Sequence, residues 1–250
     1  MINIPPLSAE KIFDLSGFPV TNSLLMSWLV LIVFGVLAFL IKRGFNIVPP
    51  KLQNFFEFLI EKLIENTEGI FGSRRAAEKY FPIVATIFLF VIFSNWLGLI
   101  PIVGPLGIYE MHEGHEVLVP LFRSASADLN FTIALAVTAV MAVNVFGIAA
   151  IGVFKHFGKF ITFKNPVAFF VGILELISEV VRMLSFSFRL FGNVFAGEVM
   201  LVIAAGFLPY LLPLPLLVFE VFVGFIQAAV FAMLTAVFIS MAINHHEEAH

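Results

Sequence analysis

The chain has 250 residues, 60 % of them apolar and only 12 % charged, with a net charge of −3 and a mean hydropathy of +1.04. Soluble domains lie nearer about 45–50 % apolar and about 25 % charged, so a water-soluble protein is excluded and an integral membrane protein is implied. The absence of cysteine excludes disulfides, thiolate catalysis and cysteine metal sites.

The first stretch, MINIPPLSAEKIFDLSGF, has an early proline pair and acidic residues but no basic flank before an apolar run. It does not read as a cleavable signal, so the first span serves as its own insertion signal. Five apolar segments follow, at 24–41, 81–103, 129–154, 166–207 and 213–243, and predict an all-α polytopic fold in a single membrane domain over 1–250. The connection after the first segment carries Lys42, Arg43, Lys51, Lys62, Arg74, Arg75 and Lys79, and that after the third carries Lys155, Lys159 and Lys164. Ten of the fourteen basic residues thus fall on one side, which places the N-terminus outside and the C-terminus inside. Lys11 and Arg123 fall on the other side. Between the first two spans, Leu52, Phe55, Phe56, Leu59, Ile60, Leu63 and Ile64 recur at helical spacing opposite Gln53, Asn54, Glu57, Glu61, Lys62 and Glu65. This predicts an amphipathic interfacial helix over 51–71, its apolar face turned to lipid or to a partner.

The last two segments are too long for an upright crossing. At 1.5 Å per residue they reach about 60 and about 45 Å against roughly 30 Å of hydrocarbon. No proline interrupts 167–207 or 216–243, so two steeply tilted helices are predicted, joined by a turn around Pro209 to Pro213. No internal repeat relates the two halves of the chain, which argues against a secondary transporter.

The fourth segment carries charge where charge is costly, about 2.5–3.5 kcal/mol each at mid-bilayer. At 100° per residue, Glu175, Ser178, Arg182, Ser185, Arg189 and Asn193 form one stripe, and Glu198 faces the opposite way. A structural ion-pair ladder of Glu175, Glu179 and Arg182 is an alternative use of part of that stripe. Arg189 has no acidic residue three or four positions away on its helix. Folding the hairpin at 208 or 209 sets Glu198 beside Glu220 and Arg189 beside Gln227. Paired carboxylates hold and release protons near neutral pH, whereas a guanidinium does not deprotonate. The expected path brings a proton from outside through Glu198 and Glu220 to a carboxylate on a moving partner. It leaves inward along Ser185, Arg182, Ser178 and Glu175, with Arg189 as a fixed charge between the two routes.

RLFGNVFAGE at 189–198, ELIS at 175–178, SADLN at 126–130, NWLGLIP at 95–101 and FIQAAVF at 225–231 resemble, in order, subunit a of the F-type ATP synthase. The resemblance covers the whole chain. It implies the stator half of a proton channel, with Arg189 facing the carboxylates of a rotating ring of c subunits and Asn193, Glu198 and Gln227 lining the path. Asp128 would join the outer route and Glu175 the inner one; Asp128 also suits the N-cap of the third span, and both roles are compatible. The implied partners are the c-ring, the b/b′ peripheral stalk and the remainder of the F1Fo complex, in a bacterial inner membrane, with no cofactor, no nucleic acid and no catalysis by this chain. Relatives often hold histidine at one of the two positions occupied here by Glu198 and Glu220. MHEGHE at 111–116 lacks the HExxH spacing of a metal site and reads as an outer loop, and NHHEEAH at 244–250 reads as a soluble tail. No Walker loop, GxGxxG or GxSxG occurs. The competing readings are a stand-alone proton-coupled transporter and a purely structural subunit.

Overall fold

The computed structural model describes residues 5–15, 17–43, 51–100, 106–112, 115–158, 166–209 and 211–244. Helix α1 (Asn22–Arg43) starts where the Thr21 hydroxyl accepts the Leu24 N–H at 3.3 Å. Helix α2 (Lys51–Phe71) ends at Gly72, whose φ of 73° is the left-handed conformation that glycine adopts without a Cβ penalty. Ser73 then caps α3 (Arg74–Gly98) by accepting the Ala76 N–H. Asp128 caps α4 (Leu129–Ile151), accepting the Asn130 N–H at 2.9 Å. The third apolar segment was expected to run to 154, but the helix breaks at Gly152 (φ 85°) and a short α5 (Val153–Gly158) turns away. Two long helices complete the chain, α6 (Pro166–Phe207) and α7 (Pro213–Asn244).

Among the described residues, four helices, α1, α3, α4 and α7, are long and apolar enough to cross a membrane. Helix α6, the fifth expected span, is not among those four; its 42 residues include Glu175, Glu179, Arg182, Arg189 and Glu198. It is unbroken and about 63 Å long, and α7, with 32 residues, is about 48 Å. Both exceed a ~30 Å hydrocarbon slab and must tilt within one.

Helix α7 is the centre of the bundle. Its Ala228, Ala232 and Ala236 are fully buried, and small residues at this spacing let α3, α4 and α6 approach closely. Phe88 of α3, Ala139 of α4, Phe186 and Leu190 of α6 and Phe231 of α7 meet in one core, with the Phe186 and Phe231 rings 4.9 Å apart. Helix α2 lays Leu63, Thr67 and Phe71 against α3 and α7, with Ser240 donating to the Ile70 carbonyl at 3.0 Å. Its apolar stripe therefore meets this chain, although Phe58 and Ile60 stay exposed.

At the other end of the bundle lie two elements absent from the sequence expectation. Strands β1 (Lys11–Leu15) and β2 (Phe18–Thr21) form one antiparallel hairpin, and β3 (Gly107–His112) and β4 (His115–Pro120) another. Local alternation in stretches such as EVLVP is too short to stand out against the helical signal. MHEGHE falls across the second hairpin, His112 pairing with His115 in register; Glu113 and Gly114 lie outside the described residues, as do the tail from 245 and Tyr210 in the predicted turn.

Candidate functional site

At the hairpin end, α3, α6 and α7 diverge around a cavity of about 910 Å³. Asn193 and Glu198 of α6, Glu220 and Gln227 of α7, Asn95 of α3 and Arg123 of the segment before α4 are part of its wall. The local sequence fixes one side of it. Asn95 Nδ2 donates to the Gly224 carbonyl at 3.2 Å and Trp96 Nε1 to the Val221 carbonyl at 3.0 Å, so the NWLG stretch pins α3 to the backbone of α7. Gly98 abuts Ser124, where a Cβ would come within 2.4 Å of the serine side chain, bringing the chain ahead of α4 up to the same site.

Four sequence-predicted residues share that cavity. Asn193 Nδ2 donates to Gln227 Oε1 at 2.8 Å, joining α6 to α7. The hairpin arithmetic gave Gln227 to Arg189; its hydrogen bond goes instead to Asn193, one turn further along α6, while Glu220 against Gly197 keeps the expected pairing to within one residue. Glu220 is buried against Gly197: a Cβ at 197 would fall 2.2–2.3 Å from its carboxyl atoms, so the carboxyl occupies the space that glycine leaves. Glu198 lines the cavity with Glu220, but its hydrogen bonds go to Arg123, whose Nε lies 3.1 and 3.2 Å from the two carboxylate oxygens. Arg123 is 3 % exposed, and its guanidinium also faces the Phe195 ring at 5.6 Å. Sequence reasoning had counted this residue only as an outer-side charge; the available signal was that a carboxylate within an apolar helix, Glu198, needs a cation and Arg123 is one of two on its side.

The other predicted residues stand apart. Asp128 is buried at the start of α4 and accepts the Ser23 hydroxyl of α1 at 2.6 Å, an N-cap and an inter-helix tie at once. Arg189 lies one turn from Asn193 but on an exposed face of α6, with Ser185 Oγ at 3.5 Å. Phe188 and Leu184 beside it are exposed as well. Further from the cavity the stripe divides: the Arg182 guanidinium stacks 3.8 Å over Phe238 of α7, Glu179 accepts from Asn144 of α4 at 3.4 Å, Glu175 is half-buried and Ser178 exposed. Tight packing on α4 and α7 turns neighbouring side chains of one helical face to different partners. A buried Thr132–Ser187 hydrogen bond of 3.0 Å holds α4 to α6 between the two regions.

An exposed arginine beside an asparagine–glutamine bridge, backed by an acid-lined cavity, can separate a wet compartment from a surface that a partner covers. A model of the family described as ATP synthase A chain matches residues 24–240, which spans all of these groups. The chain belongs to the ATP synthase A chain family. It is 37 % identical over 229 residues to ATP synthase subunit a 1 of Pelobacter propionicus, covering 90 % of this chain and 87 % of the relative. With ATP synthase subunit a of Gloeobacter violaceus it shares 33 % over 231 residues, 92 % and 86 % of the two chains. With ATP synthase subunit a of Campylobacter jejuni it shares 32 % over 222 residues, 89 % of each.

Proposed function

We propose that this chain is the non-catalytic, proton-conducting stator subunit of an ATP synthase membrane sector. It provides two offset half-channels, with Arg189 as the barrier between them. The observation that carries this is the Asn193–Gln227 bridge between the cavity on one side and exposed Arg189 on the other. A proton reaches Glu198 and Glu220 through the cavity, passes the bridge and loads a carboxylate of a c-subunit ring packed on the exposed face of α6. A fixed guanidinium beside that carboxylate favours its ionised form and repels hydronium. After the ring turns, the proton leaves along the Glu175, Ser178 and Arg182 region towards the α2 end. The hairpin end is periplasmic and the C-terminus cytoplasmic, in a bacterial inner membrane, in keeping with the basic residues near α2. The b/b′ stalk and the rest of the F1Fo complex hold the chain against the torque.

Arg189→Ala tests this reading. The complex is expected to assemble and to lose proton-driven ATP synthesis; normal synthesis in that variant sinks the mechanism. Glu198→Gln and Glu220→Gln should each slow proton delivery, and unchanged passive flux in both at every pH removes the two acids from the outer route.

A further inference from the structure

Residues 5–10 run along the mouth of the cavity, where Pro5, Pro6, Ser8, Ala9 and Glu10 form part of its wall. Chain ends are ordinarily poorly ordered unless tied down, and this one is tied twice. Arg123 Nη1 donates to the Ser8 carbonyl at 3.3 Å, so the cation that holds Glu198 also holds this segment. Asn22 of α1 donates its backbone N–H to the Glu10 carbonyl at 3.0 Å and its side-chain amide to the Glu10 carboxylate at 3.3 Å. Glu10 is half-buried and forms part of the cavity wall. Asp14 of the first hairpin is exposed and paired with Lys11. Arg123 Nη2 is buried on the cavity wall with no hydrogen-bond partner among the described residues. A cavity of about 910 Å³ with Glu10, Asn95, Asn193, Glu198, Glu220 and Gln227 in its wall is roomy and polar enough to hold water.

Proton supply gives an acid at the mouth a purpose. At about pH 8 hydronium is near ~10⁻⁸ M, and capture at a diffusion limit of ~10¹⁰ M⁻¹s⁻¹ delivers roughly 100 protons per second. That falls within ordinary turnover numbers of about 1–10³ per second, so collection at the mouth becomes limiting as the outer pH rises. We propose that Glu10, carried on the N-terminal segment that roofs the cavity, is the first proton-accepting group of the outer route. Its carboxylate takes a proton from hydronium and passes it through the cavity water towards Glu198 and Glu220; only O–H bonds form and break. The charged groups in the cavity wall besides Glu10 are Arg123 ahead of α4, Glu198 of α6 and Glu220 of α7; Asn95, Asn193 and Gln227 add amides, and Asn22 of α1 holds Glu10 itself. The assignment rests on the stator reading above.

The test uses the complete complex in liposomes, driven by a proton gradient of fixed size while the pH on the loading side varies. Glu10→Gln keeps an oxygen for Asn22 but cannot exchange protons. It is expected to lower ATP synthesis several-fold at about pH 8, to converge on the unsubstituted rate at about pH 6, and to be rescued by Glu10→Asp. No loss, or an equal fractional loss at every pH, overturns the proposal. If Glu10→Gln fails to assemble, Glu10→Cys offers a unique label in a chain without cysteine. A carboxylate-bearing methanethiosulfonate must restore the high-pH rate and a trimethylammonium one must not; equal rates with both overturn it. Arg189→Ala, measured in parallel, separates the two ideas. Loss there with an unaffected Glu10→Gln removes Glu10 alone, whereas survival of synthesis in Arg189→Ala removes the stator reading.

Discussion

Gly197→Ala places a methyl group where the Glu220 carboxyl now sits. The added Cβ would lie 2.2 Å from Cδ and 2.3 Å from each oxygen, against ordinary contacts of about 3.5–4.0 Å, so something must move by more than about 1 Å. If α6 and α7 separated by that amount, the 2.8 Å Asn193–Gln227 hydrogen bond would be lost and the core around Phe231 opened. Turning the end of the Glu220 side chain off its rotamer costs only about 0.5–1.5 kcal/mol, so the carboxyl gives way and the helices do not. Assembly should therefore persist, with a stability loss no larger than the ~1–3 kcal/mol typical of overpacking. Proton-driven ATP synthesis, normalised to the amount of complex, should fall by up to ~10²-fold, the effect of misplacing a reacting group by about an ångström. Gly35→Ala, whose Cβ meets nothing within 4 Å, serves as the control for an added methyl. Adding Glu220→Asp to Gly197→Ala withdraws the acid by one methylene and should recover part of the rate. Unchanged synthesis in Gly197→Ala refutes the argument, as does an assembly defect with no rescue by the shorter acid.

Three further outcomes follow from the same geometry. Asn193→Leu strands the buried Gln227 amide at about 1–3 kcal/mol, whereas Gln227→Leu leaves an exposed Asn193, and a double-mutant cycle on synthesis rates should show coupling of ~0.5–3 kcal/mol; additive losses would show that the bridge is not made during turnover. Arg123→Met leaves Glu198 without its cation at a cost of ~3–5 kcal/mol, and the subunit should be depleted in membranes by immunoblot, while Arg123→Met with Glu198→Met should restore its amount but not conduction. Asp128→Ala removes both the cap and the Ser23 tie, costing about 1–3 kcal/mol in the thermal stability of the complex, and Asp128→Asn, which can still cap α4, should lose less than half of that.

Local pattern carried much of the fold. Runs such as that in α1 need only length and hydropathy to be read as spans, and the 3.6 period of α2 is a property of consecutive residues. Asp128 was legible as a cap because capping acts over two or three positions. Arg189 stood out because an unneutralised charge in an apolar helix is conspicuous without any knowledge of its neighbours.

Partnership between elements was another matter. Hairpin symmetry brought Asn193, Glu198, Glu220 and Gln227 to one end of two helices, yet it could not choose between Arg189 and Asn193 as the neighbour of Gln227. The two lie one turn apart on the same face, so only side-chain packing decides which of them reaches Gln227. Nor could it give Glu198 to Arg123 or bring residues 5–10 over the cavity, since those contacts join positions 75 and 115 residues apart and leave no periodic trace. The amino-acid sequence by itself determined which groups are too costly to be accidental in a membrane. Their partners, and hence which of them are held and which are exposed, were decided by side-chain packing among distant segments.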